Sequence, residues 1–201
     1  MRVWDRRLRG VRTFAAADCG FGYRTSRFKQ DPGRHVVLDV TFQLPLGTYS
    51  RPLEYAELAR TLNLEVGQRA LIESVREAVL TLRTRKGMVL DPADHDTWSA
   101  GSFFTNPVLD PEEVPEGAPS WPQPDGSVKT SAAWLIEHAG FAKGYGTERV
   151  ALSTKHTLAL TNRGDATTAD LLALAREVRD GVQQKFAITL VNEPVLVGCT
   201  F

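Results

Sequence analysis

Ser99-Ala100-Gly101-Ser102-Phe103-Phe104-Thr105-Asn106-Pro107 is the stretch whose reading decides the fold. A small hydroxyl stands between a glycine and two aromatics, and an amide and a proline follow. Gly101 permits a tight backbone path. Phe103 and Phe104 make a short apolar step that can start a strand. Pro107 fixes the exit. The run predicts a rigidly held Ser102, with Asn106 a short reach away. Taken alone, it reads as a buried turn entering a strand.

Downstream, the chain alternates elements. A Pro- and Gly-rich segment, Asp110 to Ser127, reads as a loop. Lys129 to His138 predicts a helix stopped by Gly140, with Trp134, Leu135 and Ala139 on its buried side. Strands are expected over Arg149 to Ser153 and Thr157 to Thr161. Leu171, Leu174, Val178 and Val182 recur at helical spacing, so Thr168 to Phe186 predicts a helix capped by Thr167 or Thr168. Ile188 to Val197 reads as a last strand. Strand, helix, strand, strand, helix, strand is an α+β arrangement.

Upstream, Val3 to Leu8 and Val11 to Ala15 flank Arg9-Gly10 as a hairpin. Val36, Leu38, Val40, Phe42 and Leu44 alternate, predicting a half-buried strand. Tyr55 to Leu62 predicts a short helix. Ile72, Val75, Val79 and Leu82 mark a helix over Ala70 to Thr84, with Arg83, Arg85 and Lys86 suiting its C-terminal dipole and Gly87 its stop. One hairpin, one strand and helices are a poor recipe for a closed core over these first residues.

The chain has 201 residues, 24 basic and 24 acidic side chains and no net charge. That balance lacks the clustered basic excess of a nucleic-acid footprint. No stretch approaches the roughly 20 apolar residues that span a membrane, and no secretory signal is readable. Cys19 and Cys199 are far apart and fit no metal spacing, so free thiols in a reducing cytoplasm are expected. Asp94-His95-Asp96 carries little metal character, since polar loop residues are common, and no metal is expected. No G-x-G-x-x-G or Walker pattern occurs.

The Ser99–Pro107 run also resembles a hallmark of the UDP-N-acetylenolpyruvoylglucosamine reductase (MurB) family. Further segments match in the same order. They are Phe21-Gly-Tyr23-Arg24-Thr-Ser26-Arg-Phe28-Lys29, Leu82-Arg83-Thr-Arg-Lys86-Gly-Met-Val-Leu-Asp91-Pro92, Ala132-Ala-Trp134-Leu-Ile136 and Leu190-Val-Asn-Glu193-Pro-Val-Leu-Val-Gly198. Leu152-Ser-Thr-Lys-His156-Thr-Leu-Ala-Leu-Thr-Asn162 is also similar to the family.

The resemblance implies an α+β chain made of the remnant half of a FAD-binding domain, residues 1–90, followed by a substrate-binding domain, residues 91–201. It implies NADPH- and FAD-dependent reduction of UDP-N-acetylglucosamine enolpyruvate to UDP-N-acetylmuramate, in the cytoplasm, for peptidoglycan precursor synthesis. Ser102 matches the family's proton donor and Glu193 its catalytic glutamate. Lys86 matches a lysine on the substrate diphosphate, Asn106 a polar contact to the nucleotide or diphosphate, and Tyr23 a mobile tyrosine that closes over the nucleotide. Each also has a plain reading: Lys86 as a helix-end cation, Glu193 as an exposed carboxylate, Asn106 as a strand-end amide and Tyr23 as a surface ring. The resemblance assigns no residue here to the cofactor, because the family's glycine-rich diphosphate segments are expected upstream. The implied partner is a small UDP-sugar, with no nucleic acid, membrane or obligate protein partner. Two alternatives stay open: a UDP-sugar-binding fragment without redox activity, and a generic scaffold with degenerate site residues.

Overall fold

The computed structural model describes residues 1–201 and divides them into two compact units, Met1–Thr48 and Tyr49–Phe201. Both mix helix and strand, and the chain is α+β.

In the first unit, β1 (Arg2–Asp5) and β2 (Gly10–Thr13) form the expected antiparallel hairpin, and β3 (His35–Asp39) pairs on the other side of β1. A one-turn helix, α1 (Arg27–Gln30), is capped by Ser26, whose hydroxyl accepts the Lys29 N–H. Asp5 anchors the hairpin turn. Its buried carboxylate accepts the N–H groups of Arg7 and Leu8 and a fork from Arg34 at 2.9 and 3.0 Å. The Arg34 fork, reinforced by the two N–H groups, outweighs burial and lowers the carboxyl to about 2. His35 lies beside it, boxed edge-on by Phe14 and Phe28.

The alternation from Val36 to Leu44 does not produce a half-buried strand. The ladder ends at Asp39, and Val36, Val37, Leu38, Val40, Phe42 and Leu44 are all exposed. Alternation sorts side chains between two faces, but beyond His35 neither face of β3 is covered.

The second unit opens with α2 (Ala56–Thr61) and α3 (Ile72–Arg85). The α3 helix stops where the cations and glycine predict: Lys86 caps it, and Gly87 turns left-handed at φ 68°. That glycine is required, since a Cβ would sit 2.8 Å from the Asp96 carbonyl oxygen. Of the α3 side chains Ala78 is buried, Val75, Val79 and Leu82 of the expected stripe are half-buried, and Ile72 is exposed.

Residues 110–127 are not simply a loop. Within them β5 (Ser120–Pro122) pairs with β6 (Val128–Thr130), which also pairs with β4 (Val108–Leu109), giving a small sheet of order β4-β6-β5. This takes Lys129 and Thr130 from the expected helix, which begins as α4 (Ala132–His138) under a Ser131 cap. β7 (Val150–Leu152) and β8 (Leu160–Asn162) form an antiparallel pair. The last helix, α5 (Thr168–Phe186), has the predicted bounds. Thr167 caps it reciprocally: its hydroxyl accepts the Asp170 N–H, and the Asp170 carboxylate accepts the Thr167 N–H.

The core of this unit packs α4 and α5 against β7 and β8, with Leu135, Ile136, Leu152, Val178 and Val182 fully enclosed. Trp134 borders this core and stacks on His138 at 3.8 Å. Ile188 and Leu190 also enter it, but Ile188 to Val197 is not a continuous strand. It makes a single bridge, Phe104 to Asn192. Pro194 has no N–H to continue a ladder, and Val195 and Val197 are exposed. The strand expected from Phe103 is likewise reduced to isolated bridges. Both cysteines are free thiols, and no helix is long and apolar enough to cross a membrane.

Candidate functional site

Ser102 sits at the head of a short extended segment held from two sides. Gly101, at φ 83°, delivers the chain into it. On one side Ser102 bridges to Ala159, and the Phe103 N–H donates to the Leu158 carbonyl at 2.7 Å. On the other, the Thr105 N–H donates to Val191 and the Glu193 N–H to Phe103. Phe103 and Phe104 are both buried, with their rings 5.0 Å apart and each against Phe201. One aromatic cluster therefore fixes the backbone that carries Ser102.

The Ser102 hydroxyl oxygen lies 3.1 Å from His156 Nε2. His156 stands on the turn Ser153–Thr157, which is pinned at several points. The buried Ser153 hydroxyl accepts the N–H groups of Lys155 and His156. The Thr157 hydroxyl donates to the Glu137 carboxylate. The Asp96 carboxylate accepts the N–H and hydroxyl of Thr154 and faces Arg163 at 3.4 Å. Burial alone would raise the Asp96 carboxyl, but the Thr154 bonds and Arg163 together hold it below the ordinary value. Asp94 pairs with Lys155, so both carboxylates of the Asp94-His95-Asp96 run tie the loop after α3 to the His156 turn.

Burial lowers the His156 pKa first, and the ammonium groups of Lys86 and Lys143 lower it further. The imidazole is therefore neutral at neutral pH, with one nitrogen a donor and the other an acceptor.

Lys86, at the C-terminal cap of α3, makes a 2.6 Å ion pair with Glu57, and its charge reaches His156. Glu193 is tied by its backbone beside Phe103. Asn106 turns its side-chain oxygen to the Ala132 N–H at 3.0 Å, meeting one of the unsatisfied donors at the start of α4. Within the second unit, then, the fold gathers Ser102, His156 and the charge of Lys86, with Glu193 on the adjoining segment and Asn106 at the α4 start.

Tyr23 belongs to the first unit. It lies in a turn bridged from Gly22 to Thr25, with the Arg24 guanidinium 5.8 Å from its ring centre. Arg24 is left-handed at φ 52°. Sequence reasoning assigned no role to Lys143 or His156. The signal for His156 was the Ser153-x-x-His156 spacing, which lets a serine hydroxyl close a turn onto the histidine N–H.

The gathered groups suit an anionic ligand carrying a proton-accepting centre: cations for phosphates or a carboxylate, and a single hydroxyl held by a neutral imidazole.

A family described as UDP-N-acetylenolpyruvoylglucosamine reductase, C-terminal domain, matches residues 91–197. The UDP-N-acetylenolpyruvoylglucosamine reductase of Cutibacterium acnes is 61% identical, over 100% of this chain and 54% of that protein. That of Thermobifida fusca is 60% identical, over 98% of this chain and 59% of its own length. The chain thus spans little more than half of these relatives. The crystal structure of the reductase from Thermus caldophilus has 21% identity and a TM-score of 0.48, over 96% of this chain and 50% of that one.

Proposed function

The chain belongs to the UDP-N-acetylenolpyruvoylglucosamine reductase C-terminal-domain family, and we propose that it supplies the substrate side of that reductase. The reaction is the NADPH-dependent reduction of UDP-N-acetylglucosamine enolpyruvate to UDP-N-acetylmuramate, a step of peptidoglycan precursor synthesis. FAD, reduced by NADPH, supplies a hydride to the enolpyruvyl group. The residues that hold FAD are not assigned within this chain.

The chain's own residues handle charge and protons. Lys86 meets the diphosphate as a compact cation. Asn106 contributes a polar contact nearby. Negative charge develops at C2 and spreads into the neighbouring carboxylate, so donors aimed at that region stabilise it. Ser102 protonates C2. A serine hydroxyl is a weak acid, but a carbanion is basic enough to take its proton when the hydroxyl is already in place. Glu193 hydrogen-bonds the developing enol.

The observation that carries this reading is the Ser102 hydroxyl, held on a segment bridged from two sides, 3.1 Å from a neutral His156 that feels the charge of Lys86. A second reading is that this polypeptide by itself binds the nucleotide sugar without redox chemistry. It is favoured by the cations beside the Ser102–His156 pair, which suit an anionic nucleotide. The reductase reading is of a cytoplasmic reaction.

A calorimetric titration with UDP-N-acetylglucosamine, run beside Lys86→Ala, tests the common premise. Saturable binding that the variant loses supports a nucleotide-sugar site. Folded protein that binds nothing overturns it. Bound flavin in the purified chain, read from its visible absorption, would defeat the binding-only reading.

A further inference from the structure

We infer that His156 is a positioning residue: its Nε2–H donates to the Ser102 hydroxyl oxygen and so turns the single Ser102 proton toward the substrate. The inference rests on the reading of Ser102 as the proton donor to C2.

The argument begins with the donor inventory. A serine hydroxyl has one proton to give and two lone pairs to receive with, and a neutral imidazole has one nitrogen of each kind. At a separation of 3.1 Å only two arrangements exist. If Ser102 donates to Nε2, its proton is committed to the ring and the hydroxyl offers a ligand only lone pairs. If Nε2–H donates to Ser102, the proton is free to point elsewhere. Only the second leaves Ser102 able to act as an acid.

The second arrangement also favours the step itself. As the C2–H bond forms, the Ser102 O–H bond breaks and its electron pair stays on oxygen. An N–H already aimed at that oxygen stabilises the charge left there. Water returns a proton to Ser102 after the product leaves, and His156 keeps its own throughout. An imidazolium would also donate from Nε2, but burial and the two facing cations, Lys86 and Lys143, work against that form.

The protein imposes this geometry from several directions. Ser153 closes the turn on the His156 N–H, Asp96 holds Thr154, and Glu137 holds Thr157. Ser102 is fixed by bridges on either side of its own segment. A contact between residues 54 positions apart in sequence is thus set by anchors that are not part of the contact.

The test is the tautomer of His156 in this chain, read by nitrogen-15 NMR of histidine-labelled protein. The signal is assigned by its loss in His156→Gln. The expected result is a proton on Nε2 and a bare Nδ1, with the Nε2–H resonance moving in Ser102→Ala. A proton on Nδ1, with Nε2 accepting, overturns the inference. A kinetic arm uses the full-length reductase carrying these residues. His156→Ala should slow flavin reoxidation by the enolpyruvyl substrate about 10²-fold, the scale of losing placement of a reacting group. His156→Gln, whose amide can still donate, should recover most of the rate. Parental reoxidation in His156→Ala overturns the positioning role. Parental reoxidation in Ser102→Ala instead removes Ser102 as the donor, so the two failures are separable.

Discussion

The backbone N–H of Glu193 donates to the carbonyl of Phe103 at 2.7 Å. This single bond registers the C-terminal segment against the segment that carries Ser102. Because the tie is made by backbone, the Glu193 carboxylate is not needed for it. Glu193→Gln keeps this backbone bond, so the variant should still fold and unfold cooperatively. In the full-length reductase the same variant should slow turnover. Chemical denaturation followed by intrinsic fluorescence checks the first point, and substrate-dependent flavin reoxidation checks the second.

Asp5 gives a pH signature to the first unit. Its carboxyl is lowered from 3.8 to about 2, chiefly by the Arg34 fork. A depressed carboxyl stabilises the fold above its unfolded value and ceases to do so as pH falls through its folded value. The stability gap between the parent and Asp5→Asn should therefore be full above about pH 4 and should close toward about pH 2. Urea unfolding of the two proteins at stepped pH values measures this directly. A gap that persists unchanged at the acid end would mean that Asp5 acts through shape, not charge.

Gly181 lies in α5, where alanine is ordinarily better than glycine by about 1 kcal/mol. Here a Cβ would fall 2.4 Å from the ring of Phe141, itself buried and packed edge-on against Tyr145. The sign should invert: Gly181→Ala should lose about 1–3 kcal/mol, the range for overpacking. In a Phe141→Ala background the same change should become neutral or favourable. Denaturant midpoints of the four proteins in this cycle decide it.

Lys86 and His156 make a measurable electrostatic pair. Burial is the larger cause of the low His156 pKa, and Lys86 adds to it. Lys86→Ala should raise the His156 titration midpoint while leaving it below the ordinary histidine value. Proton NMR of the imidazole signals follows this. An unmoved midpoint would place the Lys86 ammonium away from the Ser102–His156 pair.

The sequence disclosed what local chemistry specifies. α5 was readable end to end because its capping box, apolar stripe and length agree. The Arg9-Gly10 hairpin and the Lys86-Gly87 stop were readable for similar reasons. What failed depended on partners. The alternation of Val36 to Leu44 says which side chains share a face but not whether anything covers it. β5 was hidden in a Pro- and Gly-rich run because its hydrogen bonds come from β6. Ile188 to Val197 has strand composition but meets a proline where a ladder would need a donor. The site was legible only in part. Motif resemblance drew attention to Ser102 and Glu193, whereas the Ser102–His156 contact exists only once the chain is folded.

The β3 strand has a practical consequence. It forms one edge of its sheet, in the order β2-β1-β3, and the run from Val36 to Leu44 leaves six apolar side chains in water. An open edge with unpaired backbone groups and apolar flanks is a template for adding another strand. Strand addition at this edge gives the chain a route to self-association. Concentration-dependent self-association should begin there, and a lysine in place of Val37 should suppress it while leaving the second unit untouched.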